Sequence, residues 1–145
     1  MQLTRFSDYS LRVLLYLAAH DDQVVSVDEV SRAYGISRHH LVKVVQRLVE
    51  QDLVASSRGR GGGLRLKRRP ADINVGVLVR ATEPHLNIVE CFDRASNTCP
   101  IDQACGLKRV LKDAQRAFLD VLDKSTLADF VPRAPQLIRL WRRGA

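Results

Sequence analysis

The chain has no run of about 18 apolar residues that could cross a bilayer, and from Met1 it reaches a charge at Arg5 and a polar break at Asp21. Neither a membrane span nor a secretory signal is expected. No H-E-x-x-H occurs, no G-K-S or G-K-T closes a glycine-rich stretch, and no Ser, His and Asp follow a hydrolase order, so the chain is not read as an enzyme. Cysteine is scarce, three in 145 residues. An odd number without a secretion signal argues against a disulfide framework and for a reducing cytoplasm, where grouped thiols bind metal or take part in redox chemistry. Acid is in the minority, with 16 Asp and Glu against 23 Lys and Arg, giving a net charge of +7 and a pI near 9.8. A polyanionic partner is implied, nucleic acid first. What remains, 46% hydrophobic residues, suffices for one soluble domain with a real core.

The apolar positions Leu11, Leu14, Leu15 and Ala18 define a first helix opening after Phe6, with Ser7 as its N-cap and Asp8 in its first turn. Ser26-Val-Asp-Glu29 is a capping box that starts a short helix carrying Val27, Val30 and Ala33. Tyr34-Gly35-Ile36 then turns tightly, and Ser37 caps a helix that buries Leu41, Val44, Val45 and Leu48. Short helix, glycine turn and second helix make a helix-turn-helix.

Burying those four residues leaves Arg38, His39, Lys43, Gln46 and Arg47 facing outward, the first two near the helix end that meets base edges in such motifs. A solvated helix face is the ordinary alternative, but the next segment argues for nucleic acid. Leu53-Val-Ala-Ser-Ser57 and Leu64-Arg-Leu66 read as strands joined by Arg58-Gly-Arg-Gly-Gly-Gly63, with no acidic residue in or beside the turn. This is a wing. Gly61 and Gly62 allow close approach to a phosphate, and Arg58 or Arg60 could enter a minor groove. The alternative is a tight turn that needs its glycines for conformation alone. Ser37, Arg38, His39, Lys43, Arg47, Arg58, Arg60, Gly61 and Gly62 are the candidate DNA-binding residues.

Pro70 ends the wing, and Asn74 caps a helix bearing Val75, Leu78 and Val79 as far as Thr82, before Glu83-Pro84. Cys91, Cys99 and Cys105 follow within fifteen residues. Three clustered thiolates can hold an iron–sulfur cluster or a zinc ion, given a fourth ligand from elsewhere. From Leu107 the stripe Leu107, Leu111, Ala114, Phe118 and Val121 alternates spacings of four and three, the seam of a helix packing along another helix. Packing on its own domain is the alternative to dimerisation. A short helix from Thr126 should end at Pro132, and the Arg-rich tail from Arg139 should fray. The expected architecture is mainly α with a small β-hairpin wing. A winged helix-turn-helix region (residues 1–83), a cysteine loop (84–106) and a dimerisation helix with its tail (107–145) follow one another.

The opening Met1-Gln-Leu-Thr-Arg-Phe-Ser-Asp-Tyr9, Tyr34-Gly-Ile-Ser-Arg38, the hairpin at Gly61-Gly-Gly-Leu64 and the three-cysteine loop together resemble the iron–sulfur winged-helix transcription regulators, over nearly the whole chain. The resemblance implies a homodimeric repressor of double-stranded DNA operators. Its cofactor would be an iron–sulfur cluster, 4Fe–4S by preference with 2Fe–2S as the alternative, held by Cys91, Cys99 and Cys105 with a fourth ligand. The cluster-biogenesis branch places a histidine three residues after the third cysteine, where this chain has Lys108. The nitric-oxide-sensing branch uses an aspartate near the start of the first helix, from the other subunit, and Asp8 stands at the matching place. That branch is the nearer, so nitric oxide is the implied signal, and nitrosylation or loss of the cluster would release DNA. Two points stay open. Asp8 also serves as an ordinary helix N-terminal carboxylate, and His85 is the second candidate ligand. Seven residues separate the first two cysteines where five is common in relatives, so the loop should bulge. A cluster-free thiol- or zinc-dependent regulator is the remaining alternative.

Overall fold

Helix α1 (Arg5–Ala19) is the hub of the domain. The computed structural model describes residues 2–57, 59 and 61–144. Val13, Leu14, Tyr16, Leu17 and Ala18 of α1 are buried, with Leu11 and Leu15 packed at the edge of the same core. The N-cap is Thr4, not Ser7. Thr4 Oγ accepts the Ser7 N–H at 3.2 Å, and Ser7 lies buried inside the first turn.

Around α1 pack α2 (Val27–Tyr34), α3 (Arg38–Glu50) and α4 (Val75–Thr82). The Ser26 capping box forms as its spacing predicts, and Gly35 ends α2 in the left-handed region at φ 63°. Ser37 caps α3, and Leu41, Val44, Val45 and Leu48 turn inward. Full burial of each such leucine is worth about 1.5–3 kcal/mol.

Strands β1 (Val54–Ser56) and β2 (Leu64–Leu66) pair antiparallel with Val54 opposite Leu66 and Ser56 opposite Leu64. Val25 bridges to Leu64 on the other side. Gly63 makes that approach possible, because a Cβ there would lie 2.8 Å from the Val25 carbonyl oxygen. At the base of the wing, Asp52 adopts φ 60° and accepts hydrogen bonds from Lys67 Nζ and, through its carbonyl, Arg68 Nε at 3.1 Å.

Helix α5 (Gly106–Asp123) packs on α4, yet none of its residues is fully buried. Its C-terminal end is fastened: Arg80 Nη2 donates to Asp123 Oδ2 at 2.7 Å, and Asn74 Nδ2 to the Asp123 carbonyl at 2.7 Å. Gly76 leaves the space this requires, since any Cβ would overlap the Asp123 carboxylate.

The C-terminal segment departs from expectation. Pro132 sits within a 3-10 turn, Leu127–Arg133, and helix α6 (Ala134–Gly144) follows directly. The tail does not fray, because Trp141 packs on Tyr16 at 4.7 Å and Tyr34 at 5.5 Å, returning α6 to α1 and α2. No helix of the described residues is long and apolar enough to cross a membrane.

Candidate nucleic-acid interface and thiol loop

The cap sets the outward face of α3. Ser37 Oγ accepts the His40 N–H at 3.5 Å and lies 3.1 Å from His40 Nδ1. With four residues committed to the core, Arg38, His39, Lys43, Gln46 and Arg47 are all exposed, as the sequence predicts. Their electrostatic states differ. Arg38 Nε pairs with Asp28 Oδ1 on α2 at 3.0 Å, and Arg47 Nη1 with Glu50 Oε2 at 3.2 Å. Lys43 has no acidic partner among the described residues, so its charge is presented outright. The two arginine pairs are exposed and weak, easily exchanged for phosphate.

Beside α3, Gly61 (φ 78°) is exposed and Gly62 half-exposed at the tip of the wing. Arg58 and Arg60 lie outside the described residues. Two candidates escaped the sequence reading. Arg65, exposed on β2, adds a cation to the wing, and Val42, 40% exposed, stands on the outward face of α3. Alternation in the strand could have found Arg65.

The cysteine loop is held by its own polar groups. Cys91 lies in a 3-10 turn, Glu90–Phe92. Glu90 Oε1 accepts the N–H and the hydroxyl of Thr98, each at 2.7 Å, and Asp93 accepts the Ala95 N–H at 3.0 Å and the Ser96 hydroxyl at 2.8 Å. These bonds fold the long Cys91–Cys99 spacing into a compact turn and hold both carboxyls below their usual range. Cys99 donates its N–H to Asn97 Oδ1 at 3.1 Å. Cys105 is the N-cap residue of α5, but its side chain makes no capping bond. Lys108, at the histidine position of the other branch, pairs with Asp102.

All three thiols are free and half-buried. Asp8 lies one turn into α1, paired with Arg12 Nε at 2.9 Å and 42% exposed, while the Arg12 guanidinium stands over the Tyr34 ring. Among the described residues no three of His, Cys, Asp and Glu stand together as a ready-made metal cage. The donor chemistry nevertheless suits iron: three reduced thiols on one short loop, with an ionisable carboxylate elsewhere on the surface. His85 is exposed beside Asp93, whereas His20 stacks on Tyr16 at 4.3 Å and is accounted for by packing.

The loop is also tied to the head. Glu83, at the C-cap of α4 where the loop begins, accepts both the Thr4 N–H at 2.8 Å and the Thr4 hydroxyl at 3.0 Å. Thr4 is the N-cap of α1, and further along the loop the Leu86 carbonyl accepts from Gln115 of α5.

A helix-turn-helix with a basic outward face and a glycine-tipped hairpin defines a winged-helix DNA-binding regulator rather than an enzyme. Residues 3–133 match the Rrf2 family of iron-dependent transcriptional regulators, and the chain belongs to that family. The HTH-type transcriptional regulator NsrR of Bacillus subtilis is 48% identical over 141 residues, covering 97% of each chain. NsrR of Geobacillus kaustophilus is 45% identical over 147 residues, covering 99% of this chain and 100% of that one. Among solved structures, T. potens IscR superimposes with a TM-score of 0.73 at 27% identity, covering 92% of this chain and 88% of that one. CymR, the global cysteine regulator of B. subtilis, gives 0.74 at 25% identity, covering 91% and 97%.

Proposed function

We propose that the chain is a cytoplasmic homodimeric repressor that holds an iron–sulfur cluster, 4Fe–4S by preference, and gives up its operator when nitric oxide arrives. The observation that carries this reading is the bond between Glu83 and Thr4. The residue that opens the thiol loop holds the N-cap of the helix on which the reading head is built, so a rearranged loop is felt by α3 and the wing. Cys91, Cys99 and Cys105 of one subunit and Asp8 of the other would be the ligands. Drawing them together requires the loop to move and Asp8 to leave Arg12, a surface pair of little strength. Bound there, the cluster supplies iron open to attack by nitric oxide. With Asp8 engaged across the interface, α1 is strapped to the opposite subunit, and the distance between the two heads is fixed. Two-fold DNA recognition depends on that spacing. Ser37, Arg38, His39, Lys43, Arg47, Gly61 and Gly62, with Arg58 and Arg60, would meet the duplex.

The subunits would associate through α5. Its outward apolar row is Leu107, Val110, Ala114, Ala117 and Val121, spaced three and four apart and all exposed, whereas Leu111 and Phe118 are half-buried, Phe118 beside Leu86 and Ile88 of the loop. An exposed row at that spacing is the seam of a helix pair.

Iron, sulfide and visible absorption of anaerobically purified protein test the cofactor. Stoichiometric iron and sulfide in wild type, lost in Cys91→Ala, Cys99→Ala and Cys105→Ala, are expected. A colourless protein with one zinc per chain would replace this reading with a zinc-dependent regulator. Ligation across the interface is tested by pairing an Asp8→Ala subunit with a triple-cysteine variant. That heterodimer should hold one cluster of normal spectrum, and a spectrum like the Asp8→Ala homodimer would contradict it.

A further inference from the structure

The outward row of α3 is not uniformly polar. Val42 stands 40% exposed, with Arg38 one turn before it and Gln46 one turn after, so that the three share one face in steps of about 6 Å. Helix propensity does not favour valine there. Its β-branch lowers helix propensity relative to Ala, Lys or Gln at an exposed position. Scattered exposed valines are ordinary on protein surfaces. This one lies on the edge of a groove of about 810 Å³ between α3 and the wing, lined also by Val45, Val49 and Leu64. The position is the fifth residue of α3, within the N-terminal half that meets base edges in helix-turn-helix proteins. Val49, near the C-terminal end, is out of that range. In the major groove the one apolar group offered by a base pair is the C5 methyl of thymine.

We propose that Val42 reads the C5 methyl of one thymine in each half-site, making it a specificity-determining residue flanked by polar readers. The inference rests on α3 being the DNA-reading helix. Contact removes both the valine γ-methyls and the thymine methyl from water and discriminates thymine from cytosine at that position. Arg38 and Gln46, on the same face, carry the groups that pair with guanine and adenine edges and so fix where along the site the methyl is read.

The test begins by selecting binding sites from a random duplex pool with the anaerobically purified full-length protein. Each thymine of the enriched site is then replaced by uracil, which deletes the methyl alone. Affinity should fall about fourfold at one thymine per half-site and tenfold or more when both are replaced. Val42→Ala should bind the thymine site more weakly by a similar factor and be insensitive to uracil, while Val42→Ile keeps the discrimination. Because Val42 is exposed and alanine is the better helix former, the variant should melt as wild type does. Two results would overturn the proposal alone: no thymine at which uracil matters, or a Val42→Ala protein as sensitive to uracil as wild type. Failure to enrich any sequence would instead remove the reading of α3 as the DNA-contacting helix, and this inference with it.

Discussion

The head and the thiol region are built on opposite principles. Among the described residues every buried hydrophobic side chain lies between Val13 and Val79 or at Leu127, and between Glu83 and Thr126 none is fully buried. The head is held by packing that tolerates little rearrangement. Loop and α5 meet the head through the packing of α5 on α4 and polar ties from Glu83 to Thr4 and Arg80 to Asp123, while Glu90 to Thr98 and Gln115 to Leu86 fasten the region to itself. A region without a core of its own opens at low free energy, which suits the change of state proposed for it while the head stays folded.

Core and seam substitutions break the comparison most sharply. Leu48→Ala, at a fully buried position, should lower head stability by about 2–5 kcal/mol in urea denaturation followed by circular dichroism. Val121→Ala, at 64% exposure, should change it by less than about 0.5 kcal/mol. Equal losses would show that α5 belongs to the head's cooperative unit.

The seam should respond in a different measurement. Val110→Glu with Val121→Glu places like charges on the exposed row and should weaken self-association at least about 100-fold, roughly 2.7 kcal/mol, by sedimentation equilibrium. The head's melting should not change. An unaltered dimer would move the interface off α5.

A smaller effect separates the tie between the regions from the regions themselves. Thr4→Ala removes the α1 cap and one of the two Thr4 donors to Glu83, leaving the backbone N–H in place, and should cost about 1 kcal/mol. Glu83→Ala spares the cap hydroxyl and removes the acceptor of both bonds, so it should cost less than Thr4→Ala yet loosen the loop more by hydrogen exchange. If exchange in residues 84–106 is untouched by Glu83→Ala, the two regions are not coupled there.

Smallest is the loop's own fastening. Glu90→Ala, which removes the acceptor of both Thr98 bonds, should speed maleimide labelling of Cys91 and Cys99 a few-fold at neutral pH. The Thr98 bonds lower the Glu90 pKa, so their contribution is present above the unfolded value near 4.3 and is lost as pH falls through the lowered folded one. Hydrogen exchange in the loop, corrected for intrinsic rates, should therefore be flat from pH 5 to 8 and rise only in stronger acid. A rise near pH 6 would point to a histidine.

Where structure is local, the residues announced it. Ser26, Ser37 and Asn74 cap the helices their spacing assigns, and the Gly35 turn and the core face of α3 follow directly. The α1 cap did not follow: Ser7 and Thr4 both carry hydroxyls, and Thr4 prevails with the help of Glu83, 79 residues away. In α5, apolar residues lie on two adjacent rows, the half-buried Leu111 and Phe118 and the exposed Val110 and Ala117, which a 4-3 pattern alone does not tell apart. The tail hid its helix because Pro132 reads as a stop, while the Tyr16 and Tyr34 rings that hold Trp141 are distant in sequence. The thiols were legible as a group, but Asp8, the fourth ligand proposed for them, lies 83 residues before Cys91 and no local pattern links the two.

Operator affinity measured anaerobically before and after nitric oxide, with far-ultraviolet circular dichroism on the same samples, addresses the central claim most directly. Affinity should fall at least about tenfold, as expected when half-site spacing is lost, while helix content and the melting of the head stay as they were. An operator held as tightly after the visible chromophore has gone would contradict it.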